Sequence, residues 1–258
     1  MASAPPSGLP LFYNQLQPLS SSAHSDFVAR RQETAPFLAK AHAVPLTVEE
    51  FGLAQRHFPI VFSAGPNPVP LALMGLNEGV NMFVDDNGKL TSDVCVPAYV
   101  RRYPFMLAKL QQNSDELSLC FDPTADAIGQ GGEGDPLFVD GQPSDATKAV
   151  LGFCEQFEQA GQRTAAFVKE LTDLKLLIDG EVAIQPEGAA QPFIYRGFQM
   201  ISEEKLRELR GDQARKLIQN GVLALVYAHL FSLTLIRDLF AKQMQAGKVP
   251  VQQPVLQA

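Results

Sequence analysis

Residues 57–76, HFPIVFSAGPNPVPLALMGL, decide the fold class. The stretch holds two short apolar runs, at residues 60–62 and 71–76, and the three prolines between them mark a turn. A third apolar run, at residues 81–84, leads into Asp-Asp-Asn-Gly at residues 85–88, which is typical of a hairpin turn. Short runs joined by turns predict an antiparallel sheet rather than a series of β-α-β units.

Helical signals lie on both sides of these runs. Thr47 and Glu50 have the spacing of a capping box, which predicts a short helix over residues 48–56. Ser144 precedes apolar residues that recur every three or four positions, which predicts a long central helix ending near residue 177.

The C-terminal part of the chain contains an uncharged run at residues 222–236. It is too short for a membrane span and too long for a strand, so we expect a helix that begins near residue 212 and is buried on most sides. The predicted fold class is therefore α+β, with a mostly antiparallel mixed sheet packed by several helices, including the long central helix and the buried C-terminal helix.

Other predicted elements follow from local patterns. They are a helix over residues 97–110 that Pro104 must kink or divide, strands over 117–121, 137–139 and 193–200, a strand pair at 176–178 and 182–184 joined by Asp179-Gly180, and a short helix after Ser202. The predicted domain organisation is an extended N-terminal arm (residues 1–25), a single α+β domain (26–245) and a flexible tail (246–258).

The charge is unevenly distributed. The chain has 21 basic and 28 acidic side chains and a net charge of −7, which argues against a nucleic-acid-binding protein. The excess of acids falls in residues 44–180, and residues 110–147 contain acids but no Lys or Arg. This acidic stretch indicates a solvated face, a cation site or a surface for a basic partner. Arg101 and Arg102, just before it, could neutralise it internally.

Several motifs lack the sequence context or spacing that the corresponding site requires. Gly129-x-Gly131-x-x-Gly134 matches a dinucleotide-binding fingerprint, but it precedes Pro136 and a predicted strand where a helix is required. The three cysteines lack the spacing of a zinc site or a disulfide framework. The weak candidate for a metal is calcium, which prefers oxygen ligands. Its ligands would be Asp122, Asp126, Glu133 and Asp135.

The block Tyr99-Val100-Arg101-Arg102-Tyr103-Pro104-Phe105 is the most distinctive segment. Arginines beside aromatic rings can bind a carboxylate or phosphate, or they can form structural ion pairs. Adjacent helical positions diverge by about 100°, so we expect Arg101 and Arg102 to have different partners. The candidate residues for a ligand or partner site are Asn81, Asp85, Tyr99, Arg101, Arg102 and His229.

A family resemblance rests on these same residues. The segments HFPIVF at 57–62, PLALMGL at 70–76, NMFVD at 81–85 and VPAYVRRYPF at 96–105 closely resemble the bacterial SapC-like proteins. Similar segments continue at 119–122, 137–141 and 227–233, so the resemblance covers about residues 9–242. It supplies no catalytic residues to carry over.

The resemblance implies an accessory role. The family name comes from a surface-layer locus, and many relatives lie beside genes for TonB-dependent receptors, flavin-dependent halogenases or cupin-like oxygenases. The preferred hypothesis is a non-catalytic interaction protein that assists a partner enzyme or receptor in nutrient uptake or peptide modification, without a cofactor. The alternatives are an enzyme or small-ligand binder that uses the six candidate residues, and a surface-layer component.

Localisation is also an expectation at this point. The first ten residues have neither a basic region nor an apolar core of the kind that a secretory signal has, so we expect a cytoplasmic protein, with the cell surface as the alternative.

Overall fold

A computed structural model describes residues 8–85, 87–91, 94–110, 116–188 and 191–249 of the chain. The strands are β1 (Gln17–Pro18), β2 (Phe27–Ala29), β3 (Ala43–Pro45), β4 (Ile60–Ser63), β5 (Pro70–Leu73), β6 (Phe105–Lys109), β7 (Leu117–Phe121), β8 (Ile128–Gln130), β9 (Asp135–Pro136), β10 (Phe138–Val139), β11 (Gln142–Pro143), β12 (Leu177–Ile184) and β13 (Phe193–Ile201). The α-helices are α1 (Phe51–Ala54), α2 (Ala98–Arg102), α3 (Asp145–Asp173), α4 (Glu203–Arg207), α5 (Gly211–Gln219), α6 (Val222–Ser232) and α7 (Leu235–Gln245), and single 3-10 turns lie at Pro36–Leu38 and Val48–Glu50.

The larger sheet has the strand order β12-β13-β4-β5-β3. The two apolar runs that decide the fold class are its strands β4 and β5, which pair with Ile60 opposite Ala72 and Phe62 opposite Pro70. Every strand pair in the described residues is antiparallel. The predicted α+β class with an antiparallel sheet is therefore confirmed.

The smaller sheets pack around a second core. One has the order β1-β7-β6, another β8-β2-β9, and β10 pairs with β11. The second core includes Phe105, Phe121 and Leu137. The first core lies against the larger sheet and includes Phe58, Phe62 and other residues from the helices.

Helix α3 joins the two cores. Ser144 accepts a hydrogen bond from the Thr147 N–H at 3.2 Å, so the predicted N-cap is confirmed. The buried residue Cys154 lies in the second core, and Phe167 and Leu171 lie in the first. A helix of 29 residues is about 44 Å long at 1.5 Å per residue, which lets one element reach both cores.

The prediction of a helix through residue 110 is wrong. Helix α2 ends at Arg102, and Phe105–Lys109 is strand β6, which pairs along its length with β7. Pro104 has no N–H to continue the helix. Beyond it, Phe105 and Leu107 are buried and alternate with more exposed neighbours, which is the period of a strand rather than a helix.

The predicted hairpin at Asp179-Gly180 is also wrong, because residues 177–184 form one continuous strand. Gly180 lies opposite Phe198 on β13, and the register shifts between Gly180 and Val182. A Cβ added at Gly180 would lie 2.1 Å from Phe198 Cε2, so the glycine makes room for the ring of its cross-strand neighbour. Gly180 therefore allows close packing between the two strands and does not form a turn.

The run at residues 81–84 does not form a strand. The Asn81 side chain is buried and bonds to nearby backbone groups, and only Val84 forms a bridge, with Leu90. Beyond it the Gly88 N–H donates to the Asp85 carbonyl at 3.0 Å, as in a hairpin turn, and Gly88 has a φ of +79°. The turn residue Asp86 lies outside the described residues.

The predicted last helix is three helices. Gly221 has a φ of +79° and separates α5 from α6, and a tight turn at residues 233–234 separates α6 from α7. By length and composition alone, α6 and α7 taken together (Val222–Gln245) are long and apolar enough to cross a membrane, as core helices can also be. These two helices contribute Val222, Val226, Ala228 and Leu239 to the first core.

The proposed arm is packed on the rest of the chain where it is described. The Tyr13 hydroxyl donates to the Phe105 carbonyl at 2.6 Å, and the Asn14 N–H donates to Asp122 at 2.7 Å. Residues 1–7 of the arm and 250–258 of the predicted tail lie outside the described residues, and the domain boundaries stay a prediction.

Candidate functional site

Helix α2 carries three of the six candidate residues, and its first N–H group donates to the carboxylate of Glu50. Glu50 Oε2 accepts from the Thr47 N–H at 2.9 Å, as the capping box predicts, and Glu50 Oε1 accepts from the Ala98 N–H at 2.6 Å. The same side chain therefore satisfies donors at the start of two helical segments. It fixes the position of Tyr99, Arg101 and Arg102 relative to the first core.

Arg102 is buried in an aromatic cluster, which we call the Arg102 cluster (Tyr13, Tyr99, Arg102 and Phe157). Its guanidinium carbon lies 4.3 Å from the ring centre of Phe157, 4.9 Å from Tyr99 and 5.9 Å from Tyr13. Arg102 Nη1 lies 3.4 Å from Glu158 Oε1 on α3. These contacts fasten the N-terminal segment, α2 and α3 to one another.

The ionisation of the cluster follows from burial. Desolvation raises the pKa of Tyr13 and of Tyr99, and the nearby Arg102 charge partly offsets this. Both phenols therefore stay neutral and act as hydrogen-bond donors. Tyr99 donates to the Leu11 carbonyl at 3.1 Å. The Arg102 Nε atom is buried and has no hydrogen-bond partner in the described part of the chain.

Arg101 has a different partner, as adjacent helical positions require. It is exposed, and its guanidinium carbon lies 5.0 Å from the ring centre of Phe153. The ion-pair partner of Arg102, Glu158, belongs to α3 and not to the acidic stretch at 110–147. Asp115 of that stretch lies outside the described residues.

His229 lies in the first core and fastens a helix to two strands. Its Nδ1 lies 2.8 Å from the Ile60 carbonyl, and its Nε2 accepts from the Ile201 N–H at 3.0 Å. Desolvation lowers its pKa to about 4. The neutral ring with the proton on Nδ1 satisfies both contacts, so both nitrogens are used within the fold.

Asn81 and Asp85 likewise bond to nearby backbone. Asn81 Nδ2 donates to the carbonyls of Leu38 (2.9 Å) and Ala41 (3.0 Å), and its Oδ1 accepts from the Phe83 N–H. Asp85 is exposed and accepts from the N–H groups of residues 87 and 89, which shapes the turn.

The calcium candidates are not gathered into a site. Asp122 is fully buried and accepts from the N–H groups of Asn14 and Thr124, whereas Asp126, Glu133 and Asp135 are exposed. The described residues contain no group of three or more His, Cys, Asp or Glu side chains that could hold a metal ion.

The structure thus brings Tyr99, Arg101 and Arg102 together on α2, and it places Asn81, Asp85 and His229 elsewhere. Asn81 contacts the segment at 38–41, and His229 contacts β4 and β13. Asn81, Asp85 and His229 are hydrogen-bonded within the fold, whereas the guanidinium of Arg101 is exposed beside the ring of Phe153.

An open groove lies beside the Arg102 cluster. We call it the proline groove: α3 residues 157–172 form one wall, the proline-rich loop at 66–70 forms the other, and Tyr99 lies at its lining. Its volume is about 580 Å³, within the range of ligand and peptide sites.

Small residues open the groove on the α3 side. Gly161 and Ala165 line it where the apolar face of the helix would otherwise carry larger side chains, and a Cβ at Gly161 would meet no atom within 4 Å. On the opposite wall Val69 is 44% exposed.

Most polar side chains at the groove already have partners. Thr164 donates to the Ala160 carbonyl at 2.7 Å and accepts from the Val48 N–H at 3.0 Å, and Lys169 pairs with Asp173. The surface that remains is apolar, and it suits an apolar segment better than a charged substrate.

Sequence reasoning identified Tyr99 but missed the rest of the groove. Two signals were available. One is the pair Gly161 and Ala165 inside a strongly periodic helix, and the other is the cluster of three prolines, which by itself predicts only a turn. Neither signal shows that the two segments meet, because 90 residues or more separate them in the chain.

Comparison with known proteins places the chain in one family. The SapC family model matches residues 19–239. No curated protein and no solved structure matches the chain significantly. The match includes the block at 96–105, the Arg102 cluster apart from Tyr13, and the whole proline groove. Since the match covers most of the 258 residues, the chain belongs to the SapC family.

Proposed function

We propose that this SapC-family protein is a non-catalytic accessory protein that binds a polypeptide segment of a partner enzyme or receptor. The partner would belong to a nutrient-uptake or peptide-modification system. The observation that carries the proposal is the proline groove, an open, mostly apolar cavity of about 580 Å³ in which most polar side chains are already bonded.

The placement of the candidate side chains supports a binding role. A catalytic group needs an atom free to contact a substrate. Both nitrogens of His229 are bonded, and Arg102 is enclosed by rings. A mostly apolar groove instead favours recognition of apolar side chains on another chain.

The groove can be filled by one substitution that should not disturb the fold. Gly161→Leu places a side chain in the groove, and replacing a helical glycine should stabilise α3 by roughly 0.5–1 kcal/mol. The matched control is Gly152→Leu, on the same helix, where an added Cβ also meets no atom within 4 Å and which does not line the groove.

The experiment is co-purification of the full chain with purified products of the neighbouring genes. We expect a complex of fixed stoichiometry with the wild type and with Gly152→Leu, and its loss with Gly161→Leu. A complex that still forms with Gly161→Leu would show that the interface lies outside the groove. Consistent failure of the wild type to bind any neighbouring product rejects the accessory role.

A second candidate function is small-ligand binding at the larger sheet. A cavity of about 510 Å³ there is lined by residues of β4, β5 and β13, among them Tyr195. The Tyr195 hydroxyl is buried and has no hydrogen-bond partner in the described residues, which favours a ligand that supplies one. A small molecule that raises the Tm of the wild type and of Tyr227→Phe, but not of Tyr195→Phe, would favour this function.

A further inference from the structure

Helix α6 has an unusual outer face. It has no charged side chain, and no charge follows until Arg237. A helix on the surface of a soluble protein normally carries polar or charged residues on its outer face. Here Ala224, Tyr227 and Phe231 are exposed instead, and we call these three residues the α6 stripe.

The two aromatic residues form one apolar surface. Phe231 is 64% exposed and Tyr227 is 39% exposed, and their ring centres are 5.6 Å apart. The neighbouring helix α5 exposes Ile218 by 64%. The buried side of α6 is held by His229 and Val226, so the outer face is presented by a firmly packed helix.

A stable dimer needs more surface than this. Taking about 200 Å² for a fully exposed aromatic side chain, the stripe and Ile218 offer roughly 300 Å² in each copy. Two copies would bury roughly 600 Å², about half of the 1,200 Å² at which specific protein interfaces begin. A bilayer surface sets no such minimum, since a few aromatic side chains can enter the headgroup region.

Unpaired positive charge lies at both ends of the stripe along the chain. Arg215 on α5 and Arg237 on α7 are exposed, and within the described residues neither forms an ion pair or a hydrogen bond. Anionic headgroups attract such side chains. The net charge of −7 opposes this attraction, but it arises in residues 44–180, whereas residues 181–258 carry two more bases than acids.

We infer that the α6 stripe is a peripheral docking site for an anionic lipid bilayer. Phe231 and Tyr227 enter the interfacial region, and Arg215 and Arg237 contact lipid phosphates. The helix lies on the surface and does not cross the bilayer, because its opposite face stays packed in the first core.

The absence of Trp from the chain provides a direct test. Phe231→Trp puts the only indole of the protein on the stripe. Leu53→Trp is the matched control, because Leu53 is 53% exposed on α1 and does not belong to the stripe. Each protein is mixed with vesicles of phosphatidylcholine alone and with vesicles that also contain phosphatidylglycerol.

We expect a blue shift of Trp emission only for Phe231→Trp and only with phosphatidylglycerol. In sedimentation, Phe231→Ser should lower vesicle binding at least about tenfold relative to the wild type, and added salt should weaken binding of both. The proposal is overturned by a shift that is equal in Leu53→Trp, by no shift with any vesicle, or by a Phe231-dependent dimer in the absence of lipid.

Discussion

At the scale of single residues, the arginines at positions 101 and 102 show how one helical step separates two environments. Arg102 points into an aromatic cluster and contacts Glu158, and Arg101 remains in solvent beside Phe153. The same residue type is therefore buried with a structural role at position 102 and exposed to solvent at position 101.

Substitution of these two arginines should have unequal effects. Arg102→Lys keeps the charge but loses the planar group that stacks on the three rings, so we expect the free energy of unfolding to fall by about 1–3 kcal/mol. Arg101→Lys is the matched control and should change it by less than about 0.5 kcal/mol. Urea denaturation measures both, and equal effects would contradict the structural role of the cluster.

His229 should make the protein sensitive to acid. Its pKa is lowered from 6.5 to about 4 in the folded protein, so below pH 6.5 the unfolded chain binds a proton that the folded chain does not. The contribution of the neutral ring to the free energy of unfolding, roughly 3 kcal/mol, is fully present above pH 6.5. It is lost as the pH falls from 6.5 through about 4.

Comparing variants measures how much His229 contributes to the pH dependence of the free energy of unfolding. His229→Gln cannot titrate, and we expect its free energy of unfolding to depend less on pH between 6.5 and 4 than that of the wild type. His57→Gln, at a half-buried position, is the control and should keep the wild-type dependence. If all three proteins show the same dependence, His229 does not control the acid response.

At the scale of elements, signals confined to a few residues predicted the structure well. The capping box at Thr47, the N-caps at Ser144 and Ser202 and the strand at 117–121 all depend on neighbours within four positions. The predictions were wrong where a residue distant in the sequence determines the local secondary structure. Gly180 packs against Phe198, and residues 105–109 form a strand because β7 lies beside them.

Gly180 provides a test of this cross-strand contact. Gly180→Ala would put a Cβ 2.1 Å from Phe198 Cε2, so the ring must move, and we expect a loss of about 1–3 kcal/mol in the free energy of unfolding. In the double variant with Phe198→Ala the added methyl group should cost much less, which a double-mutant cycle measures. Additive effects would show that the two residues do not interact.

The candidate site was harder to predict than the elements. Its residues come from segments at 45–47, 66–70, 99 and 157–172, which meet only in the folded chain. Single side chains such as Tyr99 could be selected by type, but the groove itself is an absence of side-chain atoms at Gly161 and Ala165. Sequence patterns report the residues present and not the space between distant segments.

At the scale of the whole molecule, the N-terminal segment is joined to the second core by strand β1, which pairs with β7, and by polar contacts of Tyr13 and Asn14. Asp122 is fully buried and accepts from Asn14 and Thr124, so it ties this segment to the end of β7. Tyr13 adds a hydrogen bond to β6 and a contact with Arg102.

Removal of this carboxylate should loosen the segment. We expect Asp122→Ala to lower the free energy of unfolding by about 2–3 kcal/mol, because the N–H groups of Asn14 and Thr124 and the Thr124 hydroxyl lose their acceptor. It should also speed proteolysis near residue 14. Asp126→Ala, which removes an exposed carboxylate four positions later, should change stability by less than about 0.5 kcal/mol. A neutral effect of Asp122→Ala would mean that the rest of the fold positions the segment.

The separation of these partners along the chain has a consequence during synthesis. Tyr13 and Phe105 are 92 residues apart, and Asn14 and Asp122 are 108 residues apart. At a translation rate of about 5–20 residues per second, the N-terminal segment leaves the ribosome roughly 5–20 s before the strands that it joins. Its apolar residues are exposed throughout that interval, so the nascent chain is a candidate for chaperone binding until β7 has been made.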